Sequence, residues 1–204
     1  MKIIWERIDN WLAANAPQVL KSLRPGATDE EIDRAEAFFG VEFPEDFKLS
    51  YRVHNGQDEE SYSLFPNLEF LSLQSAIEIS EKWQDCSDDN FRCDRDNIFE
   101  GIWNGWWNQN WIPFTMESNG ACNCVDLAPA AGGNFGQVII VEWQEATRWL
   151  IAPNFRVYLE TFADALERRE YWFSENGYGL VDLVDFEILD RAVDTDRYGS
   201  VSLL

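Results

Sequence analysis

The chain has 204 residues, enough for about one domain with an appendage, and its 46% apolar content is too high for a disordered chain. Thirty-seven acidic against 16 basic side chains leave a formal charge of -21 at pH 7. That field repels phosphate backbones and anionic lipid and argues against nucleic acid and membrane surfaces as partners, and no apolar run approaches the roughly 18 residues of a spanning helix.

The first residues, Met1 to Glu6, lack the basic and long apolar stretches of a secretory signal, which sets the expectation of a cytoplasmic protein. Ile4, Ile8, Trp11 and Leu12 share one helical face and predict a helix from Ile3 to Ala14. Leu23 to Ala27, with Pro25 and Gly26, breaks it. Thr28 and Glu31 then have the spacing of a capping box, opening a helix that carries Ile32, Ala35 and Phe39 inward and stops at Gly40. Pro44 suits the start of a third helix, with Phe47 and Tyr51 one turn apart and an end at His54-Asn55-Gly56. Short strands are expected from Phe65, and Phe70 to Leu73 leads into a helix with Ala76, Ile79 and Trp83 on its inner face.

Between Gln84 and Asn97 the apolar period vanishes and Asp85, Asp88, Asp89, Asp94 and Asp96 mark an exposed loop. Four strands follow at Ile112 to Thr115, Cys122 to Leu127, Gln137 to Trp143 and Arg148 to Ile151, joined by turns short enough to favour an antiparallel meander. Val138 to Val141 is apolar on both sides and predicts a central strand with helices over at least one face. Asn154 caps a helix whose Phe155, Tyr158, Leu159, Phe162 and Leu166 keep a 3.6-residue period. Beyond Arg169 come the aromatic patch Tyr171 to Phe173, Gly177 and Gly179, and an acidic, apolar segment from Leu180 to Ala192 that reads as helical.

The order Leu23-x-Pro25-Gly26-Ala27-Thr28-x-x-Glu31-Ile32, Glu36, Gly40, Pro44 to Phe47, then Tyr51-x-x-His54-Asn55-Gly56-Gln57 resembles the SUKH superfamily of fungal cell-wall assembly regulators and small bacterial proteins. Ile112-Pro113-Phe114, Cys124-x-Asp126 before Pro129, Gly136 to Ile139, and Ile151-Ala152 before Phe155 continue the match, which is strongest over 23–166. The resemblance implies an α+β domain, an antiparallel or mixed sheet flanked by helices, over residues 1–169, with 170–204 as an extension packed on it or appended to it. It also implies no enzymatic activity, no cofactor and no small-molecule substrate. Bacterial members are immunity proteins that neutralise a toxin, often a nuclease, whereas fungal members are scaffolds in cell-wall signalling. This short chain looks like the bacterial form, which makes a basic toxin domain its expected partner and envelope scaffolding the alternative.

No residue stands out as catalytic. Asp85, Asp88, Asp89, Asp94 and Asp96 suit charge complementarity to a basic cleft, and read equally as a solvated loop. Trp103, Trp106 and Trp107 crowd with Trp111 among asparagines, where exposed rings would serve as anchors for a protein or platforms for sugar, and buried ones as core. Cys86, Cys93, Cys122 and Cys124 lack the paired spacing of a zinc site and read as small buried residues. The run from Asp94 has Ile98 and Phe99 where a calcium loop needs an oxygen ligand and a glycine, so no metal is assigned. His54, the only histidine, reads as a structural residue at a helix end.

Overall fold

A strand made of Val138-Ile139-Ile140-Val141 has no polar side to give to water, so it must be buried twice. In the computed structural model, which describes residues 1–86, 92, 98–142 and 147–182, these residues lie in β5 (Gln137–Glu142). It pairs on one side with β4 (Cys122–Asp126) and on the other with β6 (Thr147–Ala152). β2 (Trp111–Pro113) pairs with β4, giving the order β2-β4-β5-β6 with every neighbour antiparallel, the expected meander. The expected strand from Ile112 to Thr115 is split in two. Pro113 ends the ladder, Phe114 turns into the core, and β3 (Thr115–Met116) pairs instead with β1 (Glu69–Phe70).

Helices form where the apolar period and the caps agree. They are α1 (Lys2–Asn15), α2 (Pro17–Ser22), α3 (Asp29–Phe39), α4 (Glu45–Tyr51), α5 (Leu73–Asp85) and α6 (Phe155–Glu167). At the start of α3 the Thr28 hydroxyl accepts from the Glu31 N–H while the Glu31 carboxylate accepts from the Thr28 N–H, and Gly40 closes the helix in the left-handed region. The Asn154 side chain accepts from the Val157 N–H at the start of α6. α2 was not foreseen, since six residues beginning at a proline are too few to show a period. On α5 it is Ile77 that is fully turned inward, with Ile79 only half-buried. None of these helices is long and apolar enough to cross a membrane.

One face of the sheet packs under α1, α4 and α6. Trp5, Ile8 and Leu12 of α1, Phe47 of α4 and Phe155 and Leu159 of α6 meet Ile112, Phe114, Val125 and Val138. Phe155 stands edge-on to both Phe47 and Phe114, with ring centroids 5.0 and 5.1 Å away. Each such ring contributes roughly 2 kcal/mol by burial and up to about 1 kcal/mol more from ring geometry. The last strands, β7 (Tyr171–Ser174) and β8 (Gly179–Asp182), form a hairpin that lays Leu180 in the same core. Leu180 to Asp182 is therefore strand where helix was expected, and the remainder of that segment lies outside the described residues. Gly179 makes the docking close, because the space a Cβ would need is filled by the Ser63 backbone.

The segment between α4 and β1 has almost no regular structure, and its polar groups are satisfied by two buried carboxamides. Asn55 accepts from the Leu73 N–H, and Gln57 accepts from Leu64 and Phe70 N–H while donating to the Ser61 hydroxyl and the Tyr62 carbonyl. Gly56 between them has φ +78 and abuts the Ser72 backbone, so only glycine fits. His54 lies edge-on to Trp5, with Nε2 3.2 Å from an Asp9 carboxylate oxygen and Nδ1 3.1 Å from the Arg24 carbonyl.

Both His54 partners are acceptors, which favours the doubly protonated ring. Burial opposes the charge, but the bonds to Asp9 and Arg24 outweigh it and raise the His54 pKa above its ordinary value. The stabilisation is complete below the unfolded pKa of about 6.5 and is lost as pH rises through the folded value. Urea midpoints should therefore fall between about pH 6 and about pH 8.5, and His54→Gln should flatten that slope. An equal slope in the variant would place the titrating group elsewhere.

Candidate protein-binding surface

The second face of the sheet carries Trp111, Cys122, Cys124, Ile139 and Val141. It is covered by Trp83 at the end of α5 and by the segment 98–110, which is not a regular element. An irregular cover over an apolar sheet leaves backbone groups without ladder partners, so side chains must supply them. Arg148 of β6, 0% exposed, ties this cover to the end of the β5-β6 pair. Its guanidinium donates to the carbonyls of Glu142 (2.9 Å), Thr147 (2.8 Å) and Trp106 (3.1 Å), and its carbon lies 5.8 Å from the centre of the Trp111 ring. The backbone of the same residue accepts from the Phe99 N–H, so Arg148 holds the segment at two points.

Gln137 supplies a further tie. Its side-chain amide donates to the Gly101 carbonyl at 3.1 Å and to the Asp126 carboxylate at 2.9 Å. Burial pushes the Asp126 carboxyl upward, against the bonds it accepts from Gln137 and the Ala128 N–H. At the far end the Leu127 N–H donates to the Asn110 carbonyl, and the Asn110 side chain donates to the Phe39 carbonyl. The segment is thus fastened at Phe99, Gly101, Trp106 and Asn110, and its outward side chains are held in one arrangement.

Trp107 is only 7% exposed, stacked against Trp83 at 6.3 Å and edge-on to Trp111 at 5.9 Å. This corrects its expected role as an anchor, because a ring already enclosed by two others has little area left to give a partner. Trp106 is half-buried beside Trp83. Trp103 alone of the three is exposed, at 40%, and its ring lies over Gly105 where any Cβ would overlap it. Asp85 ends α5, two residues beyond Trp83, and is exposed. Asp88, Asp89, Asp94 and Asp96 lie outside the described residues, although Cys86 and Ile98 on either side of them are placed.

Cys122 and Cys124 point to the second core with sulfurs 3.5 Å apart, and burial pushes the Cys124 thiol upward. Cys86 is exposed, and Cys93 is outside the described residues. Among the described residues no three His, Cys, Asp or Glu side chains converge as metal ligands would. The sequence reading overlooked Arg148. The available signal was its alternation with Leu150, which places a lone cation on the inward side of a strand.

A four-stranded antiparallel sheet with two small antiparallel pairs beside it, helices packed over one face, and the end of α5 with a fastened irregular segment over the other define an α+β domain. The model of the SMI1 / KNR4 family (SUKH-1) matches residues 26–161, and the chain belongs to that family. It is 22% identical over 211 residues to "Cell wall assembly regulator SMI1" of Saccharomyces cerevisiae, covering 85% of this chain and 42% of that protein. It is 25% identical over 191 residues to "Cell wall biosynthesis/cell cycle regulator smi1" of Schizosaccharomyces pombe, covering 86% and 38%. A shorter stretch of 57 residues is 39% identical to "F-box only protein 3" of Homo sapiens, covering 28% and 12%. The chain therefore spans less than half the length of the fungal relatives it matches.

Removing the Arg148 guanidinium would leave three carbonyls without their donor. Arg148→Ala should lower the unfolding free energy in urea by about 3 kcal/mol, and Arg148→Lys, which has no fork to span the carbonyls, should recover less than half of it. A loss below about 1 kcal/mol would show that the segment is held by the other ties.

Proposed function

We propose that this chain is a non-catalytic binding domain that neutralises a basic protein partner, as a bacterial immunity protein acting in the cytoplasm against a toxin of the nuclease kind. The observation that carries the reading is a charge of -21 combined with an exposed Trp103 on a fastened segment whose Trp106 and Trp107 pack against Trp83 of α5. A nuclease must attract phosphate and so presents a basic cleft. A protein that covers the cleft gains association rate from opposite charge and residence time from an aromatic anchor whose position is already fixed. Asp85, with Asp88, Asp89, Asp94 and Asp96, supplies the charge, and Trp103 with the exposed part of Trp106 supplies the anchor. Membership in a family named for regulators, and a fold given over to packing, support binding without catalysis.

A second reading is a regulatory scaffold in envelope or cell-wall assembly, and it is favoured by the names of the fungal relatives. Affinity capture on the tagged chain at low and moderate salt separates the two. One stoichiometric basic protein whose toxic activity disappears at equimolar addition supports immunity, whereas recovery of wall-synthesis or signalling proteins alone supports the scaffold.

With the captured partner in hand, changing Asp85, Asp88 and Asp89 together to lysine should slow association about tenfold at low salt and change dissociation little. Trp103→Ala should do the opposite, raising the dissociation rate with association nearly constant. Unchanged association kinetics in the charge variant would remove the acidic loop from the interface.

A further inference from the structure

On the first face of the sheet, away from Trp103, a cleft of about 360 Å³ opens between β5, β6, α6 and the turn at 65–68. Its size is at the lower end for ligand pockets. Eleven residues line it and none is charged, an unusual stretch in a chain with 53 charged side chains. Ile140, Ile151, Tyr158 and Phe162 form apolar walls. Ile151 is exposed at the rim, and Trp149, also exposed, extends the apolar strip along β6 beside Ile140.

The one side-chain amide lining the cleft is unsatisfied. Asn123 lies between the walls, 4% exposed, and its side-chain nitrogen is 3.3 Å from the Tyr158 hydroxyl. Its side-chain oxygen has no hydrogen-bond partner among the described residues. Turning the amide over moves the deficit to the nitrogen without removing it. A buried amide end left in this way is destabilising, and an entering polar group would supply the missing bond.

The wall made by the turn has a second side. Phe65, Pro66 and Leu68 face the cleft, while Asn67 of the same turn and Glu69 at the start of β1 line a neighbouring pocket with Glu60 and Glu117. A neutral apolar slot thus stands next to three carboxylates.

We propose that this cleft is a docking site for a tyrosine side chain of a protein partner, flanked in the partner's chain by lysine or arginine. The ring fills the uncharged slot edge-on to Tyr158 and Phe162. The phenol both donates and accepts, so it satisfies the Asn123 amide in either orientation, and the flanking cation reaches Glu60, Glu69 and Glu117. The proposal rests on the binding-domain reading but uses a different face from Trp103, so its test is independent of the kinetics above.

The probe is a pentapeptide blocked at both ends, lysine-glycine-tyrosine-glycine-lysine, titrated into the full chain and followed by NMR. The expected result is a saturable shift of the Asn123 side-chain amide and the Ile140 and Ile151 methyl signals. The same peptide with phenylalanine should bind about five- to tenfold more weakly. Asn123→Ala should abolish that preference, with an otherwise unchanged spectrum as the check on folding. Ile151→Glu, at the exposed rim, should block both peptides, and Glu69→Gln should weaken both. The proposal is overturned by absence of saturable shifts up to ~10 mM peptide, by equal binding of the two peptides, or by the same signals moving with protein concentration alone, which would assign the cleft to a second copy of this chain. None of these results bears on capture of a basic partner through the Trp103 face.

Discussion

A cation with no exposure to water holds the second face of this protein together. β5 is apolar on both sides, and α1, α4 and α6 pack over only one of them, so much of the other is closed by chain that cannot form a ladder. Arg148 resolves the conflict by reaching from β6 to the carbonyls of Glu142, Thr147 and Trp106. Arginine suits this place because its planar fork meets several acceptors at once and its charge is less strongly hydrated than that of lysine. Beside the Trp106 backbone held by that fork, Trp107 packs between Trp83 and Trp111, and Trp103 stands outward.

Much of the first layer was legible from sequence because it obeys local rules. Thr28 with Glu31, and Asn154 before an uninterrupted apolar stripe, are local chemistry that holds whatever the rest of the chain does. The meander was legible for the same reason, since short turns leave few pairings. What escaped detection depends on distant neighbours. Trp107 and Trp103 stand four residues apart in the same polar surroundings, and only the arrival of Trp83 from α5 encloses one and not the other. Leu180 to Asp182 has an acidic, apolar composition compatible with a helix, and becomes a strand because Tyr171 to Ser174 lies beside it.

The residues that carry the family resemblance do structural work. Asn55, Gly56 and Gln57 close the loop between α4 and β1 by supplying buried hydrogen bonds and one left-handed turn, and His54 ties that loop to α1 through Asp9. A motif of this kind identifies the fold without naming a partner. Trp103 and the end of α5 lie outside the residues that carry the resemblance, whereas the uncharged cleft at Asn123 shares Ile151 and Ala152 with them.

The contact between α1 and α6 bears on how the chain comes to be made. α1 packs on α6, and Arg7 reaches Asp164 and Glu167 across about 160 residues. During vectorial synthesis α1 leaves the ribosome before α6, and its stripe of Ile4, Trp5, Ile8 and Leu12 has no α6 to cover it until the intervening residues have followed. At 5–20 residues per second, roughly, that interval is on the order of ten seconds or more, long compared with hydrophobic collapse. The burial of that stripe is therefore completed late, only after α6 has been made, and slow translation of the middle of the message lengthens its exposure.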